Sequence, residues 1–222
     1  MNRVQLIILL IPVVLFSLTC HEYSHGRIAY ILGDDTAKKL GRLSFNPLKH
    51  LDFLGVLVFY FVGFGWAKPV PVDWRNFHNP RRDMMYVAMA GPLANLTLAV
   101  FFSFILRLMP MNPDSVIFIL LCFGVYVNVI LAIFNMLPIF PLDGSSIIKG
   151  MVSPEMASKL NSLDRYSAVL LLGIILLDKF ADLGILEFIL KMPLLYSIQF
   201  LTQEAFYTMM KSVLPALSTI FS

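Results

Sequence analysis

Three stretches of this chain carry no Asp, Glu, Lys or Arg: Val4 to Cys20, Met84 to Leu106 and Ser115 to Leu142. Runs of that length are long enough to cross hydrocarbon, where backbone N–H and C=O groups must find partners within the chain, so each is expected to be helical. The rest of the composition agrees. Of the 222 residues 58% are apolar and only 14% charged, too few to solvate a globule of this size. The expected architecture is an all-α polytopic membrane protein in a single domain spanning 1–222. A three-helix core over about residues 4–145 is followed by C-terminal helices over about 146–222, giving four to six spans.

The first span is expected from Val4 to about Leu32, with Pro12 as a local kink and Gly33-Asp34-Asp35 as its end. Its apolar run continues to Cys20 without a small-residue cleavage site, so it is expected to stay attached. The segment from Asp34 to Asp83 is polar in patches and contains one shorter uncharged run, Phe53 to Ala67, broken by Gly55, Gly63 and Gly65. That run is short for a span and suits a re-entrant or interfacial segment. Arg42 to Asn46 alternates like a short strand, and Pro69 and Pro71 disfavour helix around Lys68 to Val72. Both are expected as extended segments beside the first span. The second span is expected over Met84–Leu106 and the third over Ser115–Met136. A fourth is expected near 166–190, with one further helix, interfacial or spanning, in the remainder.

Within the first span lies His21-Glu22-Tyr23-Ser24-His25. On a helix, positions i and i+4 share a face, so two imidazoles can aim at one point, with a carboxylate beside the first. Hydrolytic zinc sites use that pattern, with neutral imidazoles as ligands and the carboxylate as general base on a water. The bland alternative is two unrelated histidines on an amphipathic helix, but ionisable groups inside a span are costly and usually functional. Cys20 adjoins the motif but points in a different direction from His21 and His25 on a helix. Neither Cys20 nor Cys122, both in apolar runs, reads as part of a disulfide framework.

A hydrolytic zinc takes three protein ligands. His50 and His78 lie in polar linkers, where a solvated histidine is the default, and Glu155 and Asp164 read as ordinary loop charges. Asp143 differs, being the first charge after the third apolar run, among Pro138, Pro141 and Gly144. A carboxylate at that depth costs roughly 2.5–3.5 kcal/mol unless paired or metal-bound. Its alternative role is to cap a helix starting at Gly144. Asn95 follows a Gly91-Pro92 kink and either packs helices or donates to a reacting oxyanion. Asn128 and Asn135 carry the same ambiguity, with packing preferred for Asn128.

Taken together, His-Glu-x-x-His at 21–25, Gly91-Pro92-x-x-Asn95, and Asn135-x-x-Pro138 followed by Leu142-Asp143-Gly144 resemble the site-2 protease family of intramembrane zinc metalloproteases. Gly65 to Val72 resembles its compact prokaryotic branch, which carries no PDZ domain. The resemblance implies His21, His25 and Asp143 as zinc ligands and Glu22 as catalytic base. It implies Asn95 and Asn135 as substrate or oxyanion contacts, and peptide bonds in or near transmembrane segments of other proteins as substrate. A helical substrate would have to unwind, and the extended segments could hold it by edge addition.

Basic residues cluster in 34–83 and 144–165, on the same side of the second and third spans, which orients the His motif and Asp143 toward the cytoplasm of a prokaryotic plasma (inner) membrane. The partners are then the lipid bilayer and transmembrane proteins. With a net charge of +3 and no basic cluster interleaved with aromatics, nucleic acid is not expected. Rival readings are a zinc-binding transporter, a membrane scaffold with a structural zinc, and a membrane-anchored protease acting on soluble chains.

Overall fold

The computed structural model describes residues 3–62, 65–108, 112–113, 115–181, 183–203 and 211. Eight α-helices run along them in chain order: α1 (Arg3–Ile31), α2 (Thr36–Lys39), α3 (Phe53–Val62), α4 (Pro80–Leu108), α5 (Val116–Asn135), α6 (Asp143–Met151), α7 (Pro154–Ala181) and α8 (Ile185–Thr202). Among the described residues there is no strand beyond an isolated antiparallel bridge between Leu51 and Ala67. Among the described residues four helices, those beginning at Val4 within α1, and α4, α5 and α7, are long and apolar enough to cross a membrane. The chain is an all-α polytopic membrane protein.

The central helix is α4, which packs against α1, α5, α6 and α8. The main core lies where α1, α4, α5 and α8 meet, around Leu10, Ala99, Cys122, Phe123, Val129 and Ile198. Apolar residues on the outer faces, such as Ile8, Phe101 and Val169, are exposed and suit contact with lipid acyl chains.

Between α1 and α4 the linker folds over the end of α1 that carries the His motif. Asp34, fully buried, accepts from the Thr36 hydroxyl, the Asn76 amide and the Asp73 N–H, pinning a 3₁₀ turn at Trp74–Asn76 to the end of α1. Tyr23 stacks on Phe45 at 4.0 Å between ring centres.

One expectation for this linker is corrected. Residues 42–46 are bent rather than a strand, because Asn46 turns its side chain to cap a 3₁₀ turn at Pro47–Lys49 and the Ser44 carbonyl meets the His50 ring. The 68–72 segment does lie beside α1, as expected, with the donors of 68–71 already paired. Lys68 N–H bonds the His50 carbonyl, Val70 N–H bonds Glu22, and Pro69 and Pro71 have none. It therefore offers no free N–H over 68–71 for adding a substrate strand. The uncharged run at 53–67 begins with the helix α3, while Gly63 lies outside the described residues.

The fourth span also sits differently from expectation. It begins at Pro154 and stops at Ala181, and Gly184, left-handed at φ 65°, separates it from α8. The expected range of 166–190 therefore covers parts of two helices. Of the charged residues in its first half, Asp164 pairs with Lys149 of α6, while Glu155, Lys159 and Arg165 are exposed. The expected further helix corresponds to α8, and everything beyond Gln203 except residue 211 lies outside the described residues.

Candidate metal centre

Three ligand-type side chains meet inside the bundle. His21 and His25 come from successive turns of α1, and Asp143 is the first residue of α6. Their Nε2 atoms lie 3.0 Å apart. Asp143 Oδ2 is 3.2 Å from His21 Nε2, and Oδ1 is 3.4 Å from His25 Nε2. Among the described residues this is the one cluster of three metal-capable side chains, and both histidines are buried.

Asp143 reaches the cluster through the turn after α5. Leu142 is extended, at φ −77° and ψ 154°, and offers no side-chain cap to α6. Asp143 thus opens the helix instead of capping it, with its carboxylate near the positive end of the helix dipole and aimed at the imidazoles. The capping alternative is thereby corrected. Gly144 makes this turn feasible, because a Cβ there would lie 2.3 Å from the Met136 carbonyl oxygen and 2.4 Å from that of Leu137.

Each imidazole is held from behind. His25 Nδ1 lies 2.7 Å from the Val87 carbonyl oxygen, which can only accept, so Nδ1 carries the proton and neutral His25 leaves Nε2 bare. His21 Nδ1 lies 2.6 Å from Asn95 Oδ1. At the front, a carboxylate meets at least one bare nitrogen with no proton to share, and Asp143 Oδ2, buried, has no hydrogen-bond partner. A cation resolves that arrangement. Two ligand atoms about 2.0–2.1 Å from a tetrahedral zinc are separated by about 3.3 Å, close to the spacings found here.

Room for an ion is kept by Gly91 of α4. A Cβ at that position would lie 2.4 Å from His25 Nε2 and 2.6 Å from His21 Nε2. The donor set, the orphaned oxygen and the cradle beneath it all fit zinc.

Glu22 projects from the same turn of α1, and its Oε2 accepts from the Val70 backbone N–H at 2.8 Å, leaving Oε1 without that tether. Asn95, implied by the family resemblance as a substrate contact, is 0% exposed, and both ends of its amide are bonded to protein groups. It stands behind His21. Asn135 is half-buried and donates to the Leu131 carbonyl of its own helix. His78 is exposed, as expected of a linker histidine. His50 is not, since it is 2% exposed with its ring against the Ser44 carbonyl. Cys20 and the loop carboxylates lie outside the cluster.

Sequence reasoning missed three supports of this site: Gly91 as the cradle, the Val87 carbonyl behind His25, and the Val70 N–H on Glu22. Gly91 had a signal in the Gly-Pro pair one turn before Asn95. Backbone groups leave none, since every residue supplies them.

A model of peptidase family M50 matches residues 111–177. The chain is 39% identical over 170 residues to YwhC of Bacillus subtilis, covering 73% of this chain and 78% of that protein. It is 31% identical to Rip2 of Mycolicibacterium smegmatis, over 70% of this chain and 61% of that protein. To MJ0611 of Methanocaldococcus jannaschii it is 48% identical over 63 residues, 28% of this chain and 32% of that one. All three relatives are provisionally named zinc metalloproteases. No solved structure matches the chain.

Proposed function

The chain belongs to peptidase family M50, the site-2 protease family of zinc metalloproteases, and from that membership we propose that it is an intramembrane endopeptidase cutting transmembrane segments of other proteins. The observation carrying this reading is the convergence of His21, His25 and Asp143 on one point between apolar helices, with Glu22 in the same helical turn.

In this reading His21, His25 and Asp143 hold the zinc. The ion, when bound, supplies Lewis-acid polarisation of a water and of the scissile carbonyl. Glu22 takes a proton from the water as its oxygen bonds to the carbonyl carbon. It returns a proton to the departing amine as the C–N bond breaks. The Val70 N–H holds one carboxylate oxygen of Glu22, which fixes the direction of the other. Val87 and Asn95 keep the imidazoles aimed forward. Asn135, half-buried at the end of α5, is the remaining candidate for contact with the substrate backbone.

A helical substrate hides its carbonyls in its own hydrogen bonds and must unwind before Glu22 can act on it. The basic residues of the 34–83 and 144–165 segments support an active site facing the cytoplasmic side of a prokaryotic plasma membrane. The test is cleavage of a model transmembrane substrate by the full chain in detergent, beside Glu22→Gln and a chelator-treated sample. Loss of cleavage in both supports the reading. Equal cleavage by Glu22→Gln refutes the base, and equal cleavage after zinc removal refutes the metal.

A further inference from the structure

Behind His21 runs a line of polar groups crossing three helices with no exposure to solvent. Ser17 of α1, Asn95 of α4 and Asn128 of α5 are each 0% exposed. Asn128 Nδ2 donates to the Gly124 carbonyl at 2.8 Å and to Ser17 Oγ at 2.9 Å. Asn95 Nδ2 donates to Asn128 Oδ1 at 2.8 Å and approaches the Ser17 carbonyl at 3.4 Å. Asn95 Oδ1 then faces His21 Nδ1 at 2.6 Å.

The order of donors and acceptors in this line is not free. The Gly124 carbonyl can only accept, so Asn128 must turn its NH₂ toward it and its oxygen toward Asn95. That oxygen also only accepts, as does the Ser17 carbonyl, so Asn95 must present its own NH₂ to both. Its oxygen is thereby turned to His21, which must carry its proton on Nδ1 and leave Nε2 bare toward Asp143. Two backbone carbonyls, through two side-chain amides, decide which nitrogen of His21 is available.

We infer that Asn128, acting through Asn95, is a positioning residue that fixes His21 in its Nδ1-protonated form and so makes Nε2 a metal ligand. The inference rests on His21 being a zinc ligand and goes beyond that reading by assigning the cause of its tautomer to α5. A buried amide between spans otherwise serves to pack helices, and its loss would then lower stability and leave the metal site alone. Partners of this kind behind a ligating histidine are worth about 10–100-fold in metal affinity.

The experiment compares the full chain in detergent with Asn128→Leu, Asn95→Leu and His21→Ala. Zinc affinity is measured by competition with a chromophoric chelator, and the visible spectrum is recorded with cobalt(II) in place of zinc. Loss of about 10-fold or more in zinc affinity for Asn128→Leu and Asn95→Leu, with an altered cobalt spectrum and an unchanged KM at saturating zinc, is the expected result. Affinity within twofold of the parent for Asn128→Leu, while His21→Ala has lost zinc, overturns the positioning role alone. Undiminished zinc binding by His21→Ala overturns the ligand assignment beneath it. Should Asn128→Leu fail to fold, nitrogen-15 spectra of the zinc-loaded parent decide. A proton on His21 Nδ1 with the metal on Nε2 supports the inference, and the reverse arrangement overturns it.

Discussion

A methyl group on Gly91 would lie 2.4 Å from His25 Nε2, inside any permissible contact and where an ion shared with His21 would sit. Gly91→Ala is therefore expected to displace the imidazoles or fill the cradle. Zinc affinity should fall by more than the roughly 10–100-fold that follows loss of a supporting partner, and cleavage should fall with it. Gly173→Ala is the control, because a Cβ there meets nothing within 4 Å. It should bind zinc normally and stabilise α7 by about 0.5–1 kcal/mol. Chelator competition and thermal unfolding in detergent check both.

Glu22 lies outside the group of three ligand-type side chains, so its chemistry and the metal's retention are separable. Glu22→Gln should keep one zinc per chain by atomic absorption while cleavage of a transmembrane substrate drops by about 10²–10⁴-fold, the usual share of a general base. Loss of zinc together with activity would instead make Glu22 part of the ion's support.

The first three spans and the candidates for the converging side chains were legible in the sequence because both follow from local rules. An uncharged run in lipid has helix as its solution, and i, i+4 spacing puts His21 and His25 on one face wherever that helix goes. Asp143 was legible because an unpaired carboxylate at that depth needs a reason. What failed was whatever depended on backbone partners. Alternation at 42–46 suggested a strand, yet Asn46 found a local cap and the Ser44 carbonyl found His50, and those short-range bonds took the segment out of extended geometry. The fourth span was placed too late because Glu155, Lys159, Asp164 and Arg165 read as loop, whereas α7 starts at Pro154 and Asp164 pairs with Lys149 of α6. His50 read as a linker histidine and is buried, since the linker folds into a cap over the end of α1. Asn95 illustrates a different limit. Its depth was legible, but which way its amide faced depended on Asn128 and Ser17, two other helices away from any local signal.

Asp143→Asn is expected to separate metal binding from the folding of α6. An amide at the first helical position forgoes about 0.3–1 kcal/mol of dipole interaction, so the zinc-free protein should lose little stability. The stabilisation normally added by excess zinc should largely vanish with the affinity. Thermal unfolding with and without zinc, for parent and variant, measures both.

Burial pushes the Asp34 carboxyl upward, but donors from Thr36, Asn76 and Asp73 outweigh that and hold it below the usual carboxylate range. With its folded value lowered, its contribution to stability is fully present above the unfolded pKa of about 3.9 and disappears as pH falls through the folded value. Acidification should therefore release the 73–76 turn from the end of α1. Asp34→Asn should cost about 1–3 kcal/mol at neutral pH and flatten the loss of stability on the acid side. Unfolding midpoints in detergent from pH 7 downward check the sign.

The two imidazoles sit on α1 and the carboxylate opens α6, with α4 and α5 between them along the chain. During synthesis the histidines thus leave the ribosome two spans ahead of the group that completes their set. A nascent chain stalled anywhere before Asp143 therefore lacks one of the three side chains that converge in the finished bundle.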